Sequence, residues 1–147
     1  MTRVQRVVIS LLMRSDAGIL LLLRGRPYAE FPTGGGVGVG LWELPGGGLN
    51  FGEAALAAGV REAREETGIL LDERTLRLTS CCDYLLETAE CRSHRIHVVY
   101  EARLSAPPPV RHSDEHSAHE WIRDPNELRR LPMVEEIRAV VAERLGG

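Results

Sequence analysis

Three glutamates, Glu62, Glu65 and Glu66, stand at spacings i, i+3 and i+4 in a stretch of good helix formers that runs from Glu53 to Thr67. On a helix this spacing brings all three carboxylates onto one face, within about 6 Å of one another. The arrangement breaks two local rules together. Like charges at this spacing repel, and acids in a last helical turn oppose the negative end of the helix dipole. Gly68, placed where a left-handed C-terminal cap belongs, puts the helix end at these acids. A divalent cation removes both penalties, and hard carboxylate oxygens suit Mg²⁺ or Mn²⁺ better than zinc. Mg²⁺ in turn bridges protein carboxylates to phosphates, so the implied chemistry is hydrolysis of a phosphoanhydride.

Neighbouring residues take supporting roles. Arg61 lies i, i+4 from Glu65 and within reach of Glu53, which suits a salt bridge that orients a ligand carboxylate and equally suits a solvent-exposed helical ion pair. Asn50 followed by Glu53 resembles a capping box, which makes Glu53 a finisher of the helix N-terminus. Gly46, Gly47 and Gly48 after Pro45 permit unusual backbone and close approach to a ligand. The run Gly34 to Gly36 with Gly38 and Gly40 does not fit a dinucleotide fingerprint and reads as a mobile loop feeding a short strand through Trp42.

The pattern as a whole, Gly47, five residues, Glu53, seven residues, Arg61-Glu62-Ala63, one residue, Glu65-Glu66, one residue, Gly68-Ile69, resembles the box of the Nudix hydrolases. At background frequencies a chain of this length meets it by chance well under once in ~10⁵. The resemblance implies an α/β fold, a Nudix-type α/β/α sandwich with a mixed sheet between the box helix and the C-terminal helix. It implies Mg²⁺, with Mn²⁺ as the alternative, held by Glu62, Glu65, Glu66 and a carbonyl of Gly46 or Gly47. Glu53 then supports the metal site from nearby. Relatives also carry a glutamate in a loop before a late strand, which points to Glu115 as an additional metal ligand or general base, with Glu120 and then Asp114 as competitors. Glu65 and Glu115 are both candidates for the general base. His112, His116 and His119 match no zinc spacing and read as loop residues, of which His116 or His119 could face the site.

The function implied is metal-dependent hydrolysis, by water attack at phosphorus, of a nucleoside diphosphate linked to another moiety. A compact chain leans towards nucleoside triphosphates or similar small nucleotides. ADP-ribose or a nucleotide sugar is the substrate alternative, and a non-catalytic nucleotide-sensing domain the functional one. Trp42, Phe51, Tyr84 and Tyr28 could stack on a base, although Trp42, Trp121 and Tyr84 equally suit a core. Neither Ala63, where relatives favour a larger aliphatic, nor Gly59, where they favour alanine, touches the proposed chemistry.

The chain of 147 residues suits one domain spanning 1–147. A net charge of −3 offers no case for nucleic acid as a partner. Cys81, Cys82 and Cys91, odd in number and without CxxC spacing, fit a reducing cytoplasm. No apolar run reaches the ~18 residues of a membrane span, and the partners implied are a small nucleotide and, compatibly, a second copy in a homodimer.

Periodicity places strands at Val4 to Met13, Ile19 to Leu23, Leu41 to Leu44, Thr75 to Leu86, Arg95 to Leu104 and Ala118 to Ile122. Ser15 to Gly18 reads as a hairpin turn. Ile96, Val98, Tyr100 and Ala102 alternate on one face of their strand. Asp124-Pro125 reads as an N-cap with proline at the first helical position, and a last helix runs from about Met133 to Leu145 with Ile137, Val140, Val141 and Leu145 inward.

Overall fold

The computed structural model describes residues 1–33 and 35–146; Gly34, the first residue of the predicted glycine loop, lies outside them. Strand β1 (Thr2–Ser15) turns at Ser15 to Gly18 into β2 (Gly18–Arg24), in register Arg14↔Ile19. The short strands β3 (Trp42–Glu43) and β4 (Gly46–Gly48) lead to helix α1 (Ala55–Thr67). A 3₁₀ turn precedes β5 (Arg77–Glu87), β6 (Cys91–Arg103) and β7 (His116–Ile122), and helices α2 (Pro125–Arg130) and α3 (Glu135–Leu145) follow. The seven strands form one sheet of order β3-β2-β1-β6-β5, with β4 added to β1 and β7 to β2. Among the strands of the described residues, β1 and β6 run parallel and the other strand pairs antiparallel.

The strand positions agree with the periodicity to within a few residues. In β1 the apolar run is continuous because both faces are covered: Leu11 and Met13 pack with Ala63 of α1, while Leu12 packs with Ile137, Val140 and Val141 of α3. The sheet therefore lies between the box helix and the C-terminal helix, as predicted. Asp124 accepts a hydrogen bond from the Asn126 N–H at 2.8 Å with Pro125 in the first turn of α2. No helix among the described residues is long and apolar enough to cross a membrane.

Three expectations are corrected. The box helix begins at Ala55 and not at Glu53. Its N-cap, Ala54, offers no side-chain cap, and only half of the capping box forms, the Asn50 N–H donating to Glu53 Oε1 at 3.2 Å. Gly46, Gly47 and Gly48 form a strand in register with Ser10, Ile9 and Val8, where a turn is the plainer reading of three glycines. Glycine is required there by space, since a Cβ on Gly46 would run into the Ile9 carbonyl and one on Gly47 into the Glu62 carboxylate. In β6 the more deeply buried face is not that of Ile96, Val98 and Tyr100 but its opposite, carrying Cys91, Ser93, Arg95, His97, Val99 and Glu101. Alternation finds the apolar face of a strand. It misses a polar face buried around a pocket.

Candidate active site

The end of α1 carries the acids. Gly68 caps the helix in the left-handed region with φ 74°, its N–H donating to the Arg64 carbonyl at 2.9 Å. Glu62 and Glu66, one turn apart, are buried, whereas the Glu65 side chain is 52% exposed at the rim. The cluster divides in two. Arg61 gathers the first group: its Nε and Nη2 hold Glu53 at 2.8 and 2.9 Å, Nη1 holds Glu62 at 2.8 Å and Glu65 at 3.2 Å, and Nη2 also reaches the Gly48 carbonyl at 3.2 Å. Arg61 is thus no solvated helical ion pair. Its hydrogen bond holds Glu53 below the usual carboxylate range.

Glu66, Glu115 and His116 form the second group, with one ligating atom of each within 4.8 Å of the others. Glu66 Oε1 accepts from the Gly46 N–H at 3.0 Å, and Oε2 lies 3.0 Å from His116 Nδ1. That last contact is an ion pair without the alignment of a hydrogen bond, so Oε2 and Nδ1 are both buried and without a hydrogen-bond partner. On its other side His116 Nε2 meets Glu43 Oε2 at 3.0 Å. Burial opposes a charged imidazole, but the Glu43 hydrogen bond and the Glu66 carboxylate outweigh it and push the His116 pKa up to about 9. Burial raises the Glu66 carboxyl above its ordinary range, partly opposed by His116. It raises Glu62 likewise, against Arg61 and with the charges of Glu66 and Glu65. Burial would raise Glu43 too, yet His116 and Arg24 hold it below the usual range.

The backbone of β4 separates the two candidate carbonyls. Leu11 N–H donates to Pro45 O and Leu49 N–H to Val7 O, so the hydrogen-bonded pairs alternate onto Ile9 and Gly47. The Gly47 carbonyl accordingly faces β1. That of Gly46 faces away, towards the acids.

These groups open into a pocket of about 300 Å³ whose walls include Gly46 to Gly48, Glu62, Glu65 and Glu115 at one end and Arg24, Tyr28, Glu30, Arg95 and His97 at the other. Of the candidates in the chain's last third, Glu115 reaches it; Glu120 is exposed on β7 and Asp114 lies 4.0 Å from Arg26. His116 faces the acids, while His119 lies against His112, ring centroids 5.6 Å apart. Trp42 lines the pocket, half-buried against the α3 core. Tyr84 is a core residue and a wall residue at once, its hydroxyl 2.8 Å from His97 Nε2. Phe51 is fully exposed in the turn before α1 and is not among the residues that line the pocket.

The far end escaped sequence reasoning. Glu30 is buried under Arg6 at 2.9 Å, Arg95 at 2.6 Å and the Ser93 hydroxyl at 2.8 Å. Burial would raise its carboxyl, yet the Arg95 charge and these bonds hold it below the usual range. Arg24 and Arg95 both stack on the Tyr28 ring, at 4.4 and 4.3 Å from its centroid. Only the alternation of Ser93, Arg95 and His97 in β6 hinted at a shared face, and in a sequence it reads as solvent.

The family model of the NUDIX domain matches residues 3–144. The chain belongs to the Nudix family. Among solved structures, it is similar to a MutT Nudix hydrolase from Burkholderia pseudomallei, with 29% identity, 93% of this chain and 95% of that one covered, and a TM-score of 0.69. It is also similar to a MutT protein from Methanosarcina mazei Go1, at 23% identity, 99% and 96% coverage and a TM-score of 0.70. A third likeness, to the Escherichia coli dihydroneopterin triphosphate pyrophosphohydrolase, has 19% identity, 97% coverage of each chain and a TM-score of 0.70. No curated protein sequence matches the chain. The fold of this Nudix protein and that of its neighbours agree over nearly their whole lengths.

Proposed function

We propose that this Nudix pyrophosphohydrolase hydrolyses a phosphoanhydride bond in a small nucleotide, a nucleoside triphosphate or a close analogue, with Mg²⁺ or Mn²⁺. The observation that carries the reading is the gathering of Glu62, Glu65, Glu66 and Glu115 at one end of the pocket, where Glu66 Oε2 has an ion pair to His116 but no hydrogen bond. Carboxylates held this close repel one another and raise each other's affinity for a further cation. The donors fit a hard cation, being carboxylates and a backbone carbonyl, while His116 is held as a cation between two acids. A Cβ at Gly47 would fill the space against Glu62.

Glu62, Glu66 and the Gly46 carbonyl would hold the metal, with Glu65 and Glu115 at its open side. When bound, the cation supplies charge neutralisation at phosphorus and an activated water. Arg61 keeps Glu62 and Glu65 oriented and fixes Glu53 to α1. His116, anchored by Glu43, keeps Glu66 charged and aimed. Glu115, 56% exposed and 4.0 Å from Arg24, is the least restrained carboxylate and takes the proton of the attacking water, ahead of Glu65, which Arg61 holds.

A panel of nucleoside triphosphates, dinucleoside polyphosphates and nucleotide sugars, assayed with Mg²⁺ and Mn²⁺, tests this reading. Release of a nucleoside monophosphate that stops on chelation is the expected result. Nucleotide binding without turnover by any of them would overturn it in favour of a sensing domain.

A further inference from the structure

The pocket end away from the metal-binding acids offers donors and withholds acceptors. Each carboxylate oxygen there is engaged: Glu30 Oε1 by Arg6 and Oε2 by Ser93 and Arg95, Glu43 Oε1 by Tyr28 and Oε2 by Arg24 and His116. Donors remain. Arg95 binds Glu30 through Nη1 and stacks on Tyr28, and its buried Nε is left without a hydrogen-bond partner among the described residues.

Ser10, His97 and Tyr84 supply another. His97 lies between the Ser10 hydroxyl, 2.8 Å from Nδ1, and the Tyr84 hydroxyl, 2.8 Å from Nε2. A neutral imidazole has one N–H, so the trio holds three polar hydrogens for two bonds, and one hydroxyl hydrogen is left over in either tautomer. Burial and the nearby Arg95 charge keep His97 neutral. Arg95 stands beside the Tyr84 hydroxyl as a donor, so the phenol oxygen accepts on that side and its hydrogen goes to Nε2. Nδ1–H then donates to Ser10, and the hydrogen left over belongs to Ser10. Ser10 lines the pocket and makes no other side-chain hydrogen bond among the described residues.

A group rich in acceptors completes such a wall. Arg6, Arg24 and Arg95 outnumber Glu30 and Glu43 there, and Glu43 also serves His116, so the wall repels a further donor. The two purine types differ at this edge: a 6-oxopurine presents O6 and N7, both acceptors, whereas a 6-aminopurine presents N7 beside a donating amino group. We propose that Arg95 and Ser10 make the pocket selective for a 6-oxopurine nucleotide over its 6-amino counterpart. The proposal rests on the nucleotide-hydrolase reading above and names the base.

The test compares kcat/KM with Mg²⁺ for ITP, GTP and ATP, and binding of IMP and AMP by calorimetry, in the wild type, Ser10→Ala and Arg95→Met. ITP is the diagnostic substrate, since it shares O6 and N7 with GTP and lacks the 2-amino group. The expected result is a preference of roughly ten- to hundredfold for ITP and GTP over ATP, with IMP binding tighter than AMP. Ser10→Ala, which leaves the Arg95–Glu30 pair intact, narrows both ratios at least threefold through KM. Arg95→Met narrows them further if its melting curve shows it folded. ATP turned over as well as ITP, or AMP bound as well as IMP, overturns the proposal and leaves the hydrolase reading standing. Displacement of IMP by inorganic phosphate at this end overturns it too, as an anion site. Preferential IMP binding without any turnover upholds the base preference and sinks hydrolysis alone.

Discussion

The two ends of the pocket are both crowded with buried charge, yet they balance it differently. Around α1, Glu53, Glu62 and Glu65 share the single cation Arg61, and His116 answers Glu66 and Glu43 while leaving Glu66 Oε2 without a hydrogen bond. Around β6, Glu30 is surrounded by Arg6 and Arg95, so positive groups outnumber the acid. One end is short of positive charge and the other of acceptors. A buried network closed on itself serves stability, whereas one left open in a single sense describes the ligand that closes it.

The contrast is broken or sharpened by substitutions at each end. Glu66→Gln keeps an oxygen for the Gly46 N–H but removes the charge. Hydrolysis is expected to fall at least a thousandfold, about 4 kcal/mol of barrier, with the fold retained. A variant keeping more than a tenth of wild-type turnover would refute the assignment. The stabilisation that relief of repulsion alone promises is not expected, because His116 loses its counter-charge. Glu30→Gln leaves Arg95 buried without its counter-ion and should cost about 3 kcal/mol in urea unfolding. A loss below about 1 kcal/mol would mean that the far end does not depend on this pair.

His97 gives the far end a pH signature. Its folded pKa is pushed down to about 4 from an ordinary 6.5, so the unfolded chain takes up the proton first. The His97 contribution to stability is then full above pH 6.5 and falls as pH drops from 6.5 towards 4, by up to about 3 kcal/mol. Glu62 and Glu66, whose pKa values are raised, work in the opposite sense. The wild type must therefore be compared with His97→Asn across that window by thermal melting. Parallel curves for the two proteins would show that the imidazole is not buried neutral. Arg61→Lys, which loses the fork to Glu53, should lower kcat/KM roughly ten- to hundredfold with Mg²⁺. Unchanged catalysis would make Arg61 a mere surface partner.

The smallest effect is expected away from both ends. A Cβ on Gly59 would meet Ile9, Leu11 and Leu76 only at 3.5 Å or beyond, so close packing does not demand glycine. Gly59→Ala should stabilise α1 by roughly 0.5–1 kcal/mol in a melting curve and leave turnover alone. A destabilised variant would show that this face of the helix is tighter than it looks.

Much of the acidic end was legible because its parts are close in the chain. Helical spacing alone set Glu62 over Glu66, and Gly68 ended the helix as its position promised. Even there, the exposure of Glu65, the start at Ala55 and the strand made by Gly46 to Gly48 depended on β1, which lies far away in sequence. Phe51 looked like a stacking residue by type, but the turn that carries it points the ring into solvent.

From the residues in order came the strand and helix positions, the acid face of α1 and the hydrolase class, all consequences of contacts within a few residues. Only folding decided that His116 bridges Glu43 and Glu66, that Glu30 meets Arg95 across 65 residues and that Ser10, His97 and Tyr84 share hydrogens. The parallel pairing of β1 with β6 brings those side chains together. Local periodicity reports which way a side chain points, and it carries no information about which distant partner will be waiting there.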